Sequence, residues 1–200
     1  MRGFLKRIFL LASPRTHLNR SLRILITTNA IFVFILGLFA PFYAVFVAHI
    51  GGSIAFAGLS WAVLMIVSGI LVLLFTNLEL RVTEQKVLIA LGYILRAAVF
   101  LSYAFMSSMT QLLATQILWG VATAVGSPAF DAVYAAHTTK ESSISQWAGW
   151  EGVSSIVTGI AALAGGLIIQ SFGYQAIFLM MATVSLLLGI YLLRLPHGEL

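Results

Sequence analysis

The chain has 200 residues, 60% of them hydrophobic and 8% charged, with a mean hydropathy of +1.03. A soluble domain carries about 25% charged residues, so there is too little polar surface here to cover a water-soluble globule, and the composition is that of an integral membrane protein. The absence of cysteine excludes disulfide frameworks, thiolate metal sites and cysteine nucleophiles. The net charge of +5 would point to nucleic acid in a soluble chain, but six of the eleven Lys and Arg residues precede residue 24. That clustering belongs to membrane topology, and no nucleic-acid partner is expected.

In chain order, residues 1–23 form a basic cytoplasmic segment. Phe4, Leu5, Ile8, Phe9 and Leu11 beside Arg2, Lys6 and Arg7 predict an amphipathic stretch lying on the leaflet, since the apolar run Ile8 to Ala12 is too short for a signal peptide. Ile24 to Ala48 is 25 residues without an ionised side chain, long enough to cross a hydrocarbon layer of about 30 Å. Gly51, Gly52 and Ser53 supply a turn, and a second span runs from about Ala55 to Phe75. The uncharged stretch Ala97 to Phe130 is 34 residues, too long for one helix. A break at Ser107 to Thr110 divides it into a third span, about Val87 to Met106, and a fourth, about Gln111 to Tyr134. Gly152 to Leu193 is 42 uncharged residues, roughly 63 Å as helix, so it predicts a fifth span, about Gln146 to Gln170, and a sixth, about Gln175 to Leu193, with a turn at Ser171, Phe172 and Gly173. A cytoplasmic tail, 195–200, follows a transmembrane domain over 24–194.

With six crossings, ten of the eleven basic residues fall on one side. The positive-inside rule then places both termini in the cytoplasm of a multi-pass plasma-membrane protein in contact with the lipid bilayer. The chain also echoes itself. Ala44 to His49 and Ala132 to His137 match at an offset of 88, each after a proline, Pro41 or Pro128, and Ile66 to Ile70 matches Ile156 to Ile160 at an offset of 90. A repeat unit of three crossings must recur upside down. The expected fold class is therefore all-α, six transmembrane helices in a 3+3 inverted repeat, with repeat one over about 24–106 and repeat two over about 111–193.

Several segments resemble the major facilitator superfamily. They are Pro41, Phe42 and Tyr43, then Gly51 to Ser53 with Gly58 and Leu59, then Ser127, Pro128 and Ala129, and above all Gly165 to Leu167 through Phe172, Gly173 and Tyr174 to Phe178. The resemblance covers the whole chain as one six-helix half of a fold that normally has twelve. Two family patterns are only partly present. The loop after the second helix aligns Thr76, Leu80 and Arg81, keeping the arginine alone, and the antiporter motif of helix five keeps only Gly165 and Gly166, so drug–proton antiport draws little support. The resemblance implies a half-length secondary transporter, moving a small solute as a parallel homodimer, with the proton as the candidate coupling ion. A non-transporting membrane scaffold, or half of a heteromeric transporter, is the alternative reading.

Ionisable residues inside spans cost about 2.5–3.5 kcal/mol on insertion scales and tend to face a bundle interior or cavity. Arg96, Asp131 and Glu151 all enter from the cytoplasmic side, and an arginine side chain can reach several ångströms back, so the three are expected to meet in one cluster. Polar and small residues at spacings of three and four mark one face of span four, Gln116, Gly120, Thr123, Ser127 and Asp131, and one of span five, Glu151, Ser154, Thr158, Ala162 and Gly165. The expected substrate or coupling-ion pathway comprises Asn29, Arg96, Gln116, Asp131, Glu151, Ser154 and Thr158. Gly69, Gly159, Gly165 and Gly166 are expected in helix packing or the dimer contact. The four histidines lack metal-ligand spacing and no phosphate loop or hydrolase elbow occurs, so no enzyme activity, cofactor or metal is expected.

Overall fold

The computed structural model of the chain describes residues 20–79, 84–138 and 143–196. The expected amphipathic segment before residue 20 lies outside them. All described regular structure is helical. In chain order there are α1 (Arg20–Phe39), a 3₁₀ turn (Ala40–Phe42), α2 (Tyr43–His49), α3 (Ile54–Glu79), α4 (Gln85–Ala104), α5 (Met109–Ala136) and α6 (Ser143–Leu193). Five stretches are long and apolar enough to cross a membrane: Arg20–His49, Ile54–Phe75, Gln85–Ala104, Met109–Ala136 and Gln146–Leu193.

The breaks between helices follow from local chemistry. Pro41 sits in the first turn of the 3₁₀ segment, where a residue without an N–H interrupts the α ladder, and α2 resumes the same crossing. After α2 the chain turns at Gly51, whose φ of 91° is readily open only to glycine. Gly52 N–H donates to the Val47 carbonyl at 2.8 Å and Gly51 N–H to that of Ala48 at 3.0 Å, the paired bonds of a Schellman cap. Ser53 then accepts from Phe56 N–H at 3.1 Å and opens α3 as its N-cap. Ser108 does the same for α5, accepting from Gln111 N–H at 3.2 Å, while Gln111 Oε1 accepts from Ser107 N–H at 2.9 Å, a variant of the capping box.

The 51-residue α6 departs from helical geometry at Gly173, with φ 76° and ψ 178°, inside the predicted turn. On either side of that residue the order of contacts along α1 is opposite. In the first arm, a Cβ at Gly37 would meet Thr158 and Ala161, one at Gly165 would meet Leu38, and one at Gly166 would meet Phe42. In the second arm Tyr174 packs on Phe46 at 5.2 Å and Phe178 on Phe39 at 4.7 Å between ring centroids, while Val184 and Leu188 face Thr27 and Thr28.

Lipid gives apolar helices no hydrophobic reason to associate, so close approach through small residues and interhelical hydrogen bonds holds such a bundle together. At Gly92 an added Cβ would lie 2.7 Å from the Gly126 Cα, so α4 and α5 touch backbone to backbone. Gly120 seats α5 on Val67 and Leu64 of α3, and Gly189 seats the second arm of α6 on Ala90 and Ile94 of α4. A cluster of Phe39, Phe46, Tyr103 and Phe178 fills the space between α1, α2, α4 and α6. Helix α3 is the least covered, with 11% of its most apolar stretch buried against 44% or more in the other four.

Lys86, in the first turn of α4, is buried. Its Nζ donates to the carbonyls of Leu195 at 2.9 Å and Pro196 at 3.0 Å and lies 3.2 Å from Glu84 Oε2. These two carbonyls lie just beyond the C-terminal, negative end of α6 and outside its hydrogen-bond ladder, so one ammonium satisfies both and ties α4 to the last residues described. Lys86→Met is expected to cost about 1–3 kcal/mol through the charge-assisted hydrogen bonds it removes. Limited proteolysis should then cut the C-terminal tail faster than in the wild type; an unchanged cutting rate would show that the tether carries no load.

Candidate functional site

Arg96 lies on the face of α4 that meets α1 and α5, and it is 8% exposed. The side chain runs along α5. Its Nη2 donates to Ser127 Oγ at 3.0 Å, and its guanidinium carbon stands 5.0 Å from the centroid of the Phe32 ring on α1, within cation–π range. Gly126 makes this path possible, because a Cβ there would lie 3.1 Å from Arg96 Nη1. Tyr93, one turn earlier on α4, is also buried and donates to Asn29 Oδ1 at 3.5 Å.

These residues enclose a cavity of about 200 Å³ lined by Asn29, Phe32, Tyr93, Arg96, Ser127 and Asp131, with Val33, Ile89, Gly126 and Phe130 completing the wall. Three of the expected pathway residues, Asn29, Arg96 and Asp131, thus share one site. The expected ion cluster is not formed. Among the described residues no carboxylate stands within ion-pair distance of Arg96, because its reach is used on Ser127 and Phe32. Asp131 is exposed on the same cavity, and Glu151, exposed on the first arm of α6, is not part of its lining.

The other expected pathway residues lie elsewhere. Gln116 is fully buried, and its Nε2 donates to the Tyr43 hydroxyl, which pairs with Ser60 Oγ at 2.6 Å. Ser60 in turn donates to the Ala57 carbonyl at 2.9 Å. This relay ties α2, α3 and α5 together in the core. Tyr43→Phe would leave the Gln116 amide nitrogen buried without an acceptor, at an expected cost of about 1–3 kcal/mol. Thermal unfolding in detergent checks it: an unchanged midpoint would mean the relay is not structural. Ser154 is half-buried, with an Oγ that has no hydrogen-bond partner among the described residues, and the Thr158 backbone lies against Gly37.

The four glycines divide into two pairs. Gly165 and Gly166 pack within the chain, against Leu38 and Phe42, so they are unavailable for the contact between copies that their position on span five suggested. Gly69 and Gly159 have open space where a side chain would stand.

Ser127 already stood on the polar face of span four, four residues before Asp131, and Tyr93 was within reach of sequence reasoning at i−3 from Arg96. Phe32 carried no such mark among the many apolar residues of the first crossing.

A bundle of apolar helices around an arginine-bearing cavity defines the chain as a multi-pass membrane protein in contact with the lipid bilayer. A sequence model of the Major Facilitator Superfamily matches residues 25–200. The chain belongs to that superfamily of membrane transporters. No curated protein and no solved structure matches it.

Proposed function

We propose that the chain acts as a secondary transporter that moves a small solute by alternating access, with the Arg96 cavity on its path. The observation that carries this reading is Arg96, a residue 8% exposed, whose charge borders a largely apolar cavity inside an apolar bundle. A bundle built only to pack gains nothing from a charge that costs several kcal/mol to insert and has no acid at its side. Purified chain in sealed proteoliposomes should accumulate or release a solute from a compound panel, with and without a proton gradient. Absence of flux for every compound would favour the scaffold reading.

The topology belongs to the same proposal: six crossings in a 3+3 inverted repeat, both termini cytoplasmic, in the plasma membrane. Two features support it. The two arms of α6 meet α1 in opposite order, as two antiparallel crossings would. Numbered this way, the first crossing packs on the fifth and sixth, the fourth on the second and third, and the third on the sixth. Exchanging one with four, two with five and three with six returns the same set of contacts, which is what an internal two-fold requires. Since the chain has no native cysteine, single substitutions test it directly. Ser53→Cys and Ser108→Cys should react with an impermeant reagent from outside and Ser142→Cys from inside; reaction of Ser142→Cys from outside would overturn the topology.

A parallel homodimer completes the proposal. The open backbone at Gly69 and Gly159 and the bare face of α3 provide for close approach by a second copy, and a two-fold axis along the membrane normal keeps both basic faces in the cytoplasm.

A further inference from the structure

We infer that the Arg96 cavity takes a small zwitterion, a solute with a carboxylate and an ammonium group a few bonds apart, of which a neutral α-amino acid is the simplest example. This rests on the transporter reading and names its substrate class.

The arginine sets one end of the site. A guanidinium has five N–H donors in a planar fork. Among the described residues those of Arg96 make one hydrogen bond, to the neutral Ser127, and the Phe32 ring adds attraction without neutralising the charge. Buried charges in proteins are ordinarily paired, and here the space beside the charge is a cavity. The Asn29 amide nitrogen, on the same cavity, has no hydrogen-bond acceptor among the described residues, since Tyr93 uses only its oxygen. Two sets of free donors therefore converge on one space, and a carboxylate is the planar, two-oxygen acceptor that fits an arginine fork.

Asp131 sets the other end. It lies four residues beyond Ser127 on α5, about 6 Å along the helix axis, and lines the same cavity from an exposed position. A plain carboxylate held at Arg96 would be repelled by this acid and bring no cation of its own to face it. A plain amine would be attracted to Asp131 and repelled by the deeper Arg96. A doubly charged phosphate ester meets one cation and one anion, and is worse matched than a singly charged acid. A solute with an ammonium beside its carboxylate satisfies both ends, and the gap of about one helical turn is spanned by a carboxylate, one or two carbons and an ammonium with a hydrogen bond at each end. Phe32, Tyr93 and Phe130 then offer an apolar wall to the side chain.

The test uses the purified chain in detergent and three probes of matched shape: leucine, 4-methylpentanoate, which lacks the amino group, and 3-methylbutylamine, which lacks the carboxylate. Ligand-induced stabilisation and equilibrium binding should show saturable leucine binding, at least tenfold tighter than either half-molecule. Arg96→Gln should abolish leucine binding while the protein still elutes as a folded species, and Arg96→Lys should restore part of it. Asp131→Asn, at an exposed position, should remove the preference for leucine over 4-methylpentanoate. Equal or tighter binding of 4-methylpentanoate by the wild type would make this a simple anion site, tighter binding of the amine would make it a cation site, and no binding of any probe would remove the proposal; each overturns it. Leucine binding without flux in proteoliposomes would instead remove the transport reading and leave the site. Flux of an unrelated solute without leucine binding would do the reverse.

Discussion

Leucine at Gly165 is expected to abolish folding, whereas leucine at Gly69 or Gly159 should leave a folded chain. A Cβ at Gly165 would stand 1.9 Å from the Leu38 carbonyl oxygen and 2.6 Å from its carbon, far inside any tolerated contact. The obstacle is backbone, so no rotamer change relieves it and the first arm of α6 must move off α1. Ordinary overpacking against side chains costs about 1–3 kcal/mol; displacing a helix that also seats Gly37 on Thr158 and Ala161 costs more, against a total stability on the order of 5–15 kcal/mol. Gly69→Leu and Gly159→Leu meet nothing within the chain and report on the contact between copies instead. Size-exclusion elution in detergent separates the two classes. Aggregated Gly165→Leu beside monomeric, folded Gly69→Leu and Gly159→Leu is the expected pattern. A folded Gly165→Leu would mean that α1 and α6 are not packed this way.

Arg96→Leu should leave the fold intact and eliminate solute movement. Had Arg96 been locked in a buried ion pair, removing it would cost about 3–5 kcal/mol by stranding its acid. Instead the substitution loses a charged hydrogen bond to Ser127 worth about 1.5–3 kcal/mol and a cation–π contact worth about 0.5–2 kcal/mol. It relieves the insertion cost of a charge, about 2.5–3.5 kcal/mol. The terms nearly cancel, so the melting temperature should move by only a few degrees while flux in proteoliposomes falls at least a hundredfold. A large loss of stability with flux retained would make Arg96 a structural residue, and the cavity incidental.

Much of the bundle was legible because lipid imposes a length and bars free backbone groups. Uncharged runs such as Ile24 to Ala48 and the serine cluster before Met109 mark helices and breaks without reference to partners. Gly173 announced the departure in α6 in the same way, as glycine in a turn between two apolar runs. The site was legible only in outline. The cost of a charge in lipid singles out Arg96, but which neighbour a long, flexible side chain selects depends on backbone distances that periodicity does not carry. The Gly92–Gly126 contact brings α4 close enough for Arg96 to lie along α5 and reach Ser127, and the expected pairing with Glu151 failed for that reason. The bond between Gln116 and Tyr43 spans 73 residues of sequence, and nothing local to either residue pointed to it. Glycine function was ambiguous by nature: Gly69 and Gly165 both lie within long apolar runs, yet one faces open space and the other a carbonyl.

Alternating access is the central claim, and a single cysteine tests it most directly. Ser127→Cys places a near-isosteric thiol on the cavity wall of a chain with no other cysteine. In sealed proteoliposomes of known orientation, a membrane-impermeant thiol reagent is added either outside or inside. The account predicts modification from both sides, with a saturating bound solute slowing both reactions. Modification from one side only, unchanged by any solute, would contradict it and leave a static bundle with a pocket.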